Sequence, residues 1–371
     1  MASAADIAKS LEKLIGGNDE SATVTQFLDT GYPPFNYALS NKWDGGFPVG
    51  RIIELAGPPS AGKTAIATYA MASAQKQGGI AMFMDHEHSF DEKQGRGLGL
   101  DTTKGRWIYK KPRTFEESLS MVVLVAKHVR ENKLIPKDAP LCAVFDSLAS
   151  QVPSSVLLDA KTGKEKELGK KSMHDNTALA RATSASMPAF NLYAEELGIC
   201  VIFLNQIRMK LGVMYGDPRT TPGGEAPKFY ASQRIMLGAA AKITKSKEDK
   251  EVLGMQISAG VIKNKVARPF RKAEWRFMFQ PDGSGRFDVE RSLIDWLIGE
   301  KILTVGAGNR ASFVDWQGKS IHKETLAREI EKNKQFGELL KLLPAAYEPP
   351  ALSAAEMPGE DEEGKPEDIA A

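Results

Sequence analysis

The residues with the clearest chemical pattern form a glycine-rich turn between an apolar segment and a segment of helical periodicity. The turn reads GPPSAGKT at residues 57–64 and matches G-x-x-x-x-G-K-[ST]. Backbone N–H groups of such a turn and of the helix that follows bind phosphate oxygens, Lys63 would contact the β and γ phosphates, and Thr64 would hold Mg²⁺. The pattern predicts a site for a nucleotide and Mg²⁺. Its predicted residues are Gly57, Pro58, Pro59, Ser60, Ala61, Gly62, Lys63 and Thr64.

Acidic side chains follow other apolar runs, at the strand ends where open α/β sheets bind ligands. Asp146 ends the run LCAVFD, and we predict that it contacts Mg²⁺ through water. Within MDHEHSFD we choose Glu87 as the carboxylate that polarises an attacking water. Asp91 is predicted to bind the cofactor, but Asp85 and Asp91 also suit the role of strand-end caps. The two histidines beside Glu87 lack a further His or Cys cluster that would make them a metal site.

The elements that must position these residues alternate between strand and helix. Apolar strands are predicted at 52–56, 80–84, 141–145 and 199–204. Buried apolar strands that alternate with helices indicate an α/β fold with a mostly parallel sheet covered on both faces. One of the helices begins at the capping box Thr114-x-x-Glu117. The long helical stretch before the last of these strands is predicted to be interrupted at Pro188.

The two ends of the chain differ from this core. An amphipathic helix at 4–15 is too short to be stable without packing on something. Beyond residue 232, strands without helices between them extend the sheet in antiparallel fashion, and a small α/β module follows from about 285. We therefore expect four parts. They are an N-terminal segment (1–36) that packs on its own core or on a neighbouring subunit, a core with the nucleotide site (37–284), a small C-terminal domain (285–344) and a disordered acidic tail (345–371).

Charge is unevenly distributed along the 371 residues. The net charge is +2, but residues 353–371 carry seven acids and one base, a charge of −6, so the rest of the chain carries +8. A basic body with an acidic tail suits a protein that binds a polyanion, and a tail that only aids solubility is the alternative. Cys142 and Cys200 lie in apolar runs and are predicted to be reduced core residues. Without a long apolar run or a secretory pattern, we expect a cytoplasmic protein that does not bind membranes.

Five segments resemble, in order, the motifs of the bacterial RecA family of DNA recombinases. They are GGFPVGRIIELAGPPSAGKT, MDHEHSFD, VFDS, FLNQIRMKLGVMYGDPRTTPGGEAPKFYAS and VIKNKVARPF, and the similarity spans about residues 30–345. The resemblance implies a RecA-type ATPase core that polymerises on single-stranded DNA, then pairs it with homologous double-stranded DNA and exchanges strands. It implies DNA-stimulated ATP hydrolysis in recombination, repair and the SOS response, with single-strand-binding and loader proteins as further partners.

The resemblance also implies roles for single residues. Glu87 matches the catalytic glutamate, with Asp85 and Asp91 as acids beside it, and Gln206 matches the glutamine that senses the γ-phosphate. Lys263 and Lys265 match lysines that reach a neighbouring subunit's ATP, and act in trans as an arginine finger does. Two further positions match residues of the interface between subunits. They are Lys228 and Phe229.

A mobile DNA-binding loop is expected at residues 207–228. Its basic residues and its glycines suit phosphate neutralisation and close approach of the backbone. The predicted DNA contacts are Arg181, Ile207, Arg208, Met209, Lys210, Gly223 and Gly224. The lysine-rich segment 161–171 lies where the family has its first DNA loop. On charge alone, these basic stretches would be ordinary solvated surface.

Three departures from the family pattern suit a phage-encoded or otherwise specialised member. Pro59 stands where an acidic residue is usual, Gln94 stands where an adenine-stacking tyrosine is expected, and the region 150–174 is longer than the pattern. The alternatives are an accessory paralogue, a ring-forming DNA helicase without strand exchange, and a small-molecule kinase. The segment NQIRMK with the spacing of Lys263 and Lys265 disfavours the helicase.

Overall fold

The computed structural model describes residues 3, 6, 9–10, 13–14, 23–159, 162–167, 177–209, 219–245, 251–307 and 311–349. The strands are, in chain order, β1 (Phe27–Leu28), β2 (Phe47–Pro48), β3 (Ile52–Ala56), β4 (Ile80–Asp85), β5 (Trp107–Lys110), β6 (Leu141–Asp146), β7 (Ile199–Asn205), β8 (Arg208–Met209), β9 (Arg219–Thr220), β10 (Gln233–Thr244), β11 (Val252–Asn264), β12 (Arg271–Phe279), β13 (Gly285–Phe287), β14 (Phe313–Trp316) and β15 (Lys319–His322). The helices are α1 (Pro33–Ser40), α2 (Lys63–Lys76), α3 (Glu92–Gly97), α4 (Phe115–Glu131), α5 (Ser154–Leu157), α6 (Ala178–Glu196), α7 (Glu225–Tyr230), α8 (Val289–Gly299), α9 (Lys323–Lys332) and α10 (Phe336–Leu340). A 3-10 turn spans Leu148–Ser150.

A nine-stranded sheet organises the fold, in the order β13-β12-β11-β10-β3-β7-β6-β4-β5. Every pair from β10 to β5 is parallel, and the pairs from β10 to β13 are antiparallel. The predicted α/β fold, a mostly parallel sheet with an antiparallel extension, is confirmed. Parallel neighbours require a crossover, and the predicted helices supply it.

Alternation along the strands builds one core on each face of the sheet. Ile53 and Leu55 of β3 belong to one core, and Ile52, directly before them, belongs to the other. The first core also takes Ile66 of α2, while the second takes Leu119 of α4. Successive side chains of a strand point to opposite faces, so an apolar run is what a sheet covered on both sides requires.

Two helices of the second face show how local sequence and packing combine. The Thr114 hydroxyl accepts a hydrogen bond from Glu117 N–H at 3.2 Å, which confirms the cap, and the Glu117 carboxylate accepts from Arg113 N–H at 2.7 Å. The predicted interruption at Pro188 is wrong, because α6 runs through it. Pro188 lies on the exposed side of α6, where water can reach the carbonyl group that loses its partner, and the buried Met187 and Phe190 hold the other side to the core.

The chain after residue 284 packs back on the core. Strand β13 pairs with β12, α8 packs on β12, and Trp43 Nε1 donates to the Pro344 carbonyl oxygen at 2.9 Å. The division into four parts stays a prediction. Of the predicted helix at 4–15, the structure describes residues 6, 9, 10, 13 and 14, which are helical, and the acidic tail lies outside the described residues. Within the described ranges, no helix is long and apolar enough to span a membrane.

A buried ion pair ties β3 to the start of the antiparallel extension. Glu54 and Arg234 are register partners on β3 and β10, and Arg234 Nε lies 2.7 Å from Glu54 Oε2. Asn205 Nδ2, at the end of β7, donates to the other oxygen of Glu54 at 2.9 Å. Glu54 is only 2% exposed, so its charge depends on these two partners for stabilisation.

Arg234→Ala is therefore expected to destabilise the protein by about 3–5 kcal/mol, because it leaves a buried carboxylate without its cation. Arg268→Ala is the control, since Arg268 pairs with Glu348 on the surface and such a pair contributes below about 1 kcal/mol. Urea unfolding of both variants measures the difference. A similarly small loss of unfolding free energy in both variants would show that the buried ion pair stabilises the protein no more than the surface pair does.

Candidate functional site

Four neighbouring strand ends bring the predicted catalytic residues to one edge of the sheet. Strands β3, β7, β6 and β4 are consecutive and parallel, so their carboxyl ends meet. The segments that follow carry the turn at 57–64, Gln206, Ser147 and Glu87. The Gly57 N–H group donates to the Asn205 carbonyl oxygen at 3.3 Å, which joins the turn to the end of β7.

The turn at 57–64 leads into the positive end of a helix. Helix α2 begins at Lys63, and its N-cap is Gly62, so no described side chain caps its first turn. The Ala61 N–H group donates to the Pro58 carbonyl oxygen at 3.4 Å and closes the turn. Free N–H groups at the amino end of a helix favour an anion, so the geometry fits a phosphate group.

Lys63 lies folded against the turn. Its Nζ atom donates to the carbonyl oxygens of Gly57 at 3.0 Å and Pro58 at 2.8 Å. Burial lowers the pKa of Lys63, and the nearby carboxylates of Asp146 and Glu87 oppose that shift. Carbonyl dipoles thus hold the ammonium group beside the turn. A phosphate anion bound there would offset the free-energy cost of burying its charge.

Thr64 and Asp146, the predicted Mg²⁺ ligands, are in contact. Thr64 Oγ1 donates to Asp146 Oδ2 at 3.2 Å, and Asp146 is 4% exposed. Burial raises the pKa of Asp146 to about 7, the charge of Glu87 adds to the rise, and the Thr64 hydroxyl opposes it. A hydroxyl and a carboxylate are hard oxygen ligands, and the cost of the buried charge is one that a divalent cation would offset. The donor set fits Mg²⁺.

Glu87 and Gln206 meet beside this pair. Gln206 Nε2 donates to Glu87 Oε1 at 3.2 Å, and Ser150 Oγ donates to the same oxygen at 3.0 Å. Ser147 Oγ donates to it as well. Sequence reasoning did not single out the two serines. Their signal was a pair of hydroxyl side chains three residues apart, directly after the acid that ends β6.

Glu87 is also placed by its backbone. The N–H groups of His86 and Glu87 both donate to the Asp146 carbonyl oxygen, at 2.7 and 3.1 Å. Burial lowers the pKa of His86 to about 4, so its ring is neutral at pH 7. The end of β4 is therefore fastened to the end of β6, and the two acids Glu87 and Asp146 stay side by side.

The other two acids of this segment have local structural partners. Asp85 is fully buried and accepts hydrogen bonds from the Phe90 N–H group at 3.2 Å and the Tyr109 hydroxyl at 2.7 Å. Asp91 caps α3 and accepts from the Lys93 N–H group at 2.8 Å. Both acids shape the turn around Glu87, and a contact of Asp91 with the cofactor stays a prediction.

A second cluster gathers the residues predicted for the subunit interface. Lys263 Nζ donates to the carbonyl oxygens of Lys228 and Phe229, at 2.7 and 2.8 Å, in the last turn of α7. The amino groups of Lys263 and Lys265 lie 6.0 and 5.7 Å from the centre of the Phe229 ring, which is 67% exposed. Burial lowers the pKa of Lys263 to about 8, and the charges of Lys265 and Arg234 add to the effect. This surface joins an exposed aromatic ring to two lysine cations, and the charge of Glu54 opposes only part of the fall in the pKa of Lys263.

The structure describes only the two arms of the predicted DNA loop. Arg208 and Met209 in β8 pair with Thr220 and Arg219 in β9 as a short antiparallel ribbon. The ribbon starts two residues after Gln206, which directly follows β7. Residues 210–218, with Lys210 among them, lie outside the described residues, as do residues 161 and 168–171 of the lysine-rich segment. The DNA contacts of Ile207, Arg208, Met209 and Lys210 stay predictions.

The returning arm packs on α6 and on the turn after β6. Thr183 Oγ1 donates to the Gly223 carbonyl oxygen at 2.7 Å. A Cβ atom on Gly223 would lie 2.8 Å from Leu148 Cδ2, and one on Gly224 would lie 2.7 Å from Ala180 Cβ. Both glycines have positive φ, so side chains are excluded by backbone conformation as well as by space. Arg181, one turn into α6, donates to Thr177 Oγ1 at 2.9 Å.

Comparison with known proteins agrees with this geometry. A family model described as the RecA N-terminal domain matches residues 8–284. The chain is similar to Protein RecA of Chlorobaculum parvum, with 37% identity over 278 residues (73% of this chain and 72% of the relative). Protein RecA of Bacteroides thetaiotaomicron is 39% identical over 263 residues (70% and 71%), and that of Borreliella afzelii is 34% identical over 300 residues (80% and 75%).

The match to the family model covers both arms of the loop and the whole nucleotide site. These comparisons bear out the resemblance noted in the sequence, and with it the assignment to P-loop NTPases that bind ATP and DNA in recombination and repair. The chain belongs to the RecA family of recombinases.

Proposed function

We propose that this protein is an ATP-dependent recombinase that forms filaments on single-stranded DNA and catalyses homologous pairing and strand exchange. One observation carries the proposal most directly. The hydrogen bond of 3.2 Å from Gln206 to Glu87 joins the first arm of the DNA loop to a carboxylate at the nucleotide site. A change at the γ-phosphate can therefore reach the loop through a single side chain.

Each residue at the nucleotide site has a role in ATP hydrolysis. Bound Mg²⁺-ATP supplies the γ-phosphoryl group that water attacks, and ADP leaves. Lys63 exchanges its two carbonyl acceptors for phosphate oxygens and stabilises their charge. Thr64 and Asp146 would hold Mg²⁺ through their hydroxyl and carboxylate oxygens, and the cation would offset negative charge on the phosphates. Glu87 accepts a proton from the attacking water at its carboxylate, so that the water oxygen becomes a better nucleophile.

The second cluster acts on the nucleotide of a neighbouring subunit. Lys263 and Lys265 stabilise charge that develops on the γ-phosphoryl group, and the exposed Phe229 packs in the interface. Such a contact uses different surfaces on the two subunits. Its repetition generates a helical filament when the rotation between neighbouring subunits does not close into a ring. The N-terminal segment (1–36) would complete the contact, and the division into a core (37–284), a small domain (285–344) and an acidic tail (345–371) belongs to the same proposal.

The partners follow from this activity. They are single-stranded DNA, then homologous double-stranded DNA, further copies of this chain, and the single-strand-binding and loader proteins that act on such filaments. The loop residues, with Arg181, Gly223 and Gly224, contact the DNA backbone and bases. A function in the SOS response of a bacterial cytoplasm is part of the proposal.

The first test measures ATP hydrolysis with and without single-stranded DNA. We expect DNA to stimulate hydrolysis, and we expect Lys63→Ala and Lys263→Ala each to lower the stimulated rate roughly 10²- to 10³-fold, because each removes charge stabilisation of the transition state. Lys319→Ala, which changes an exposed lysine of β15, is the matched control. DNA affinity should fall with salt with a slope of about −0.7 per phosphate neutralised.

Hydrolysis that is indifferent to DNA would remove the recombinase proposal. DNA-stimulated hydrolysis without pairing of homologous strands would favour an accessory paralogue. Unwinding of duplex DNA by a closed ring would favour a helicase.

A mixing experiment tests whether Lys263 acts in trans. Glu87→Gln removes the carboxylate of the cis site, and Lys263→Ala removes the cation given to a neighbour, so each variant alone should be inactive. In a filament formed from equal amounts of the two variants, each interface takes Glu87 from one subunit and Lys263 from its neighbour. On the order of a quarter of the interfaces then combine an intact Glu87 with an intact Lys263. We expect the mixture to recover about that fraction of DNA-stimulated hydrolysis. A mixture as inactive as its components would place Lys263 in its own subunit's chemistry.

A further inference from the structure

The turn that follows β6 contacts both the catalytic carboxylate and the returning arm of the DNA loop. Residues 147–150 form this turn, which we name the serine turn. It is closed by hydrogen bonds from Ser150 N–H to the Ser147 carbonyl oxygen at 3.1 Å and from Gln151 N–H to the Leu148 carbonyl oxygen at 3.4 Å. A turn held in this way moves as a unit, so displacement of one of its side chains displaces the others.

One side of the serine turn holds Glu87. Ser147 Oγ and Ser150 Oγ both donate to Glu87 Oε1, and the two hydroxyl oxygens lie 3.0 Å apart. Ser147 is 1% exposed, so its hydroxyl group has little access to water as an alternative partner. Glu87 Oε2 accepts no hydrogen bond from the described part of the chain. The serines thus occupy one oxygen of the carboxylate and leave the other for the reaction.

Gln206 competes with the serines for the same oxygen. A carboxylate oxygen has two lone pairs, so three donors at Glu87 Oε1 cannot all be well satisfied. The Gln206 contact, at 3.2 Å, is the longest of the three. When Gln206 moves to another acceptor, the two serines suffice to keep Glu87 in place.

The opposite side of the serine turn touches the DNA loop. Leu148 is fully buried, and its Cδ2 atom would lie 2.8 Å from a Cβ atom on Gly223. The Thr183 hydroxyl fixes the Gly223 carbonyl oxygen from the side of α6. Leu148 therefore packs directly on the Gly223 backbone, and a shift of Gly223 cannot leave Leu148 unmoved in a close-packed interior.

We propose that the serine turn couples DNA binding to catalysis: Leu148 senses the position of Gly223, and Ser147 and Ser150 pass it to Glu87 as positioning residues. The proposal rests on the proposed function, since it needs Glu87 to be the base and the loop to bind DNA. It adds a route separate from Gln206. Gln206 joins the first arm of the loop to the site, whereas the serine turn joins the returning arm.

The test separates positioning from coupling. Ser150→Ala should lower kcat for ATP hydrolysis on the order of tenfold to a hundredfold, with and without DNA, because the carboxylate loses its alignment. KM for ATP and single-stranded DNA affinity should not change, and Ser150→Thr, which keeps the hydroxyl group, should restore kcat. Ser155→Ala, on the exposed side of the next helix, is the matched control. A change in KM alone, or no rescue by threonine, would overturn the positioning role.

Leu148→Val tests the coupling, because it removes the Cδ atoms that touch Gly223 and keeps a buried apolar side chain. We expect hydrolysis without DNA, and DNA binding with a non-hydrolysable ATP analogue, to match the wild type, while stimulation by DNA falls severalfold. The double variant with Ser150→Ala should show no further loss of stimulation beyond the larger single effect. Wild-type stimulation in Leu148→Val would overturn this inference alone, whereas a wild-type protein that DNA does not stimulate would overturn the proposed function. A thermal melt of each variant identifies any loss that reflects unfolding. Leu148→Ile, which preserves the side-chain volume but has no Cδ2 atom to contact Gly223, then replaces valine.

Discussion

Parallel pairing of β3, β7, β6 and β4 determines which loops can meet in this molecule. Their carboxyl ends lie along one edge, so four segments far apart in the chain become neighbours there. The register is held by apolar packing on both faces, because a slip of one residue would exchange the side chains of the two cores. The distance between Thr64 and Asp146, and that between Glu87 and Gln206, both follow from this register.

At the same edge of the sheet, charged side chains lie in buried positions, where the charged form is disfavoured. Asp146 and Lys63 have pKa values shifted toward their neutral forms by burial, and Lys263 shows the same effect at the second cluster. An anionic nucleotide and its cation would offset the free-energy cost of burying these charges. Glu54 differs from them, because Arg234 and Asn205 already satisfy it within the subunit. The buried charge of Glu54 is thus paired within the subunit. The charges of Asp146, Lys63 and Lys263 are the ones that a bound nucleotide and its cation would stabilise further.

Much of this arrangement could be predicted because its signals are local. The motif at 57–64 and the acids at strand ends follow from short patterns, and the apolar runs indicated a parallel sheet. The roles of Gln206 and Lys263 came from family resemblance. Contacts between distant segments could not be predicted, since no local pattern shows that Leu148 touches Gly223 or that Ser150 reaches Glu87. Pro188 was misjudged because its solvent-facing position on α6, set by tertiary packing, outweighs the usual tendency of proline to end a helix.

In the function that we propose, Gln206 couples the nucleotide site to the DNA loop. The most direct measurement is the affinity for single-stranded DNA with a non-hydrolysable ATP analogue and with ADP, in the wild type and in Gln206→Ala. We expect the analogue to strengthen DNA binding in the wild type and DNA to strengthen analogue binding by the same factor. In Gln206→Ala this factor should fall toward one, while each ligand alone still binds. An undiminished factor in the variant would show that Gln206 does not couple the two sites.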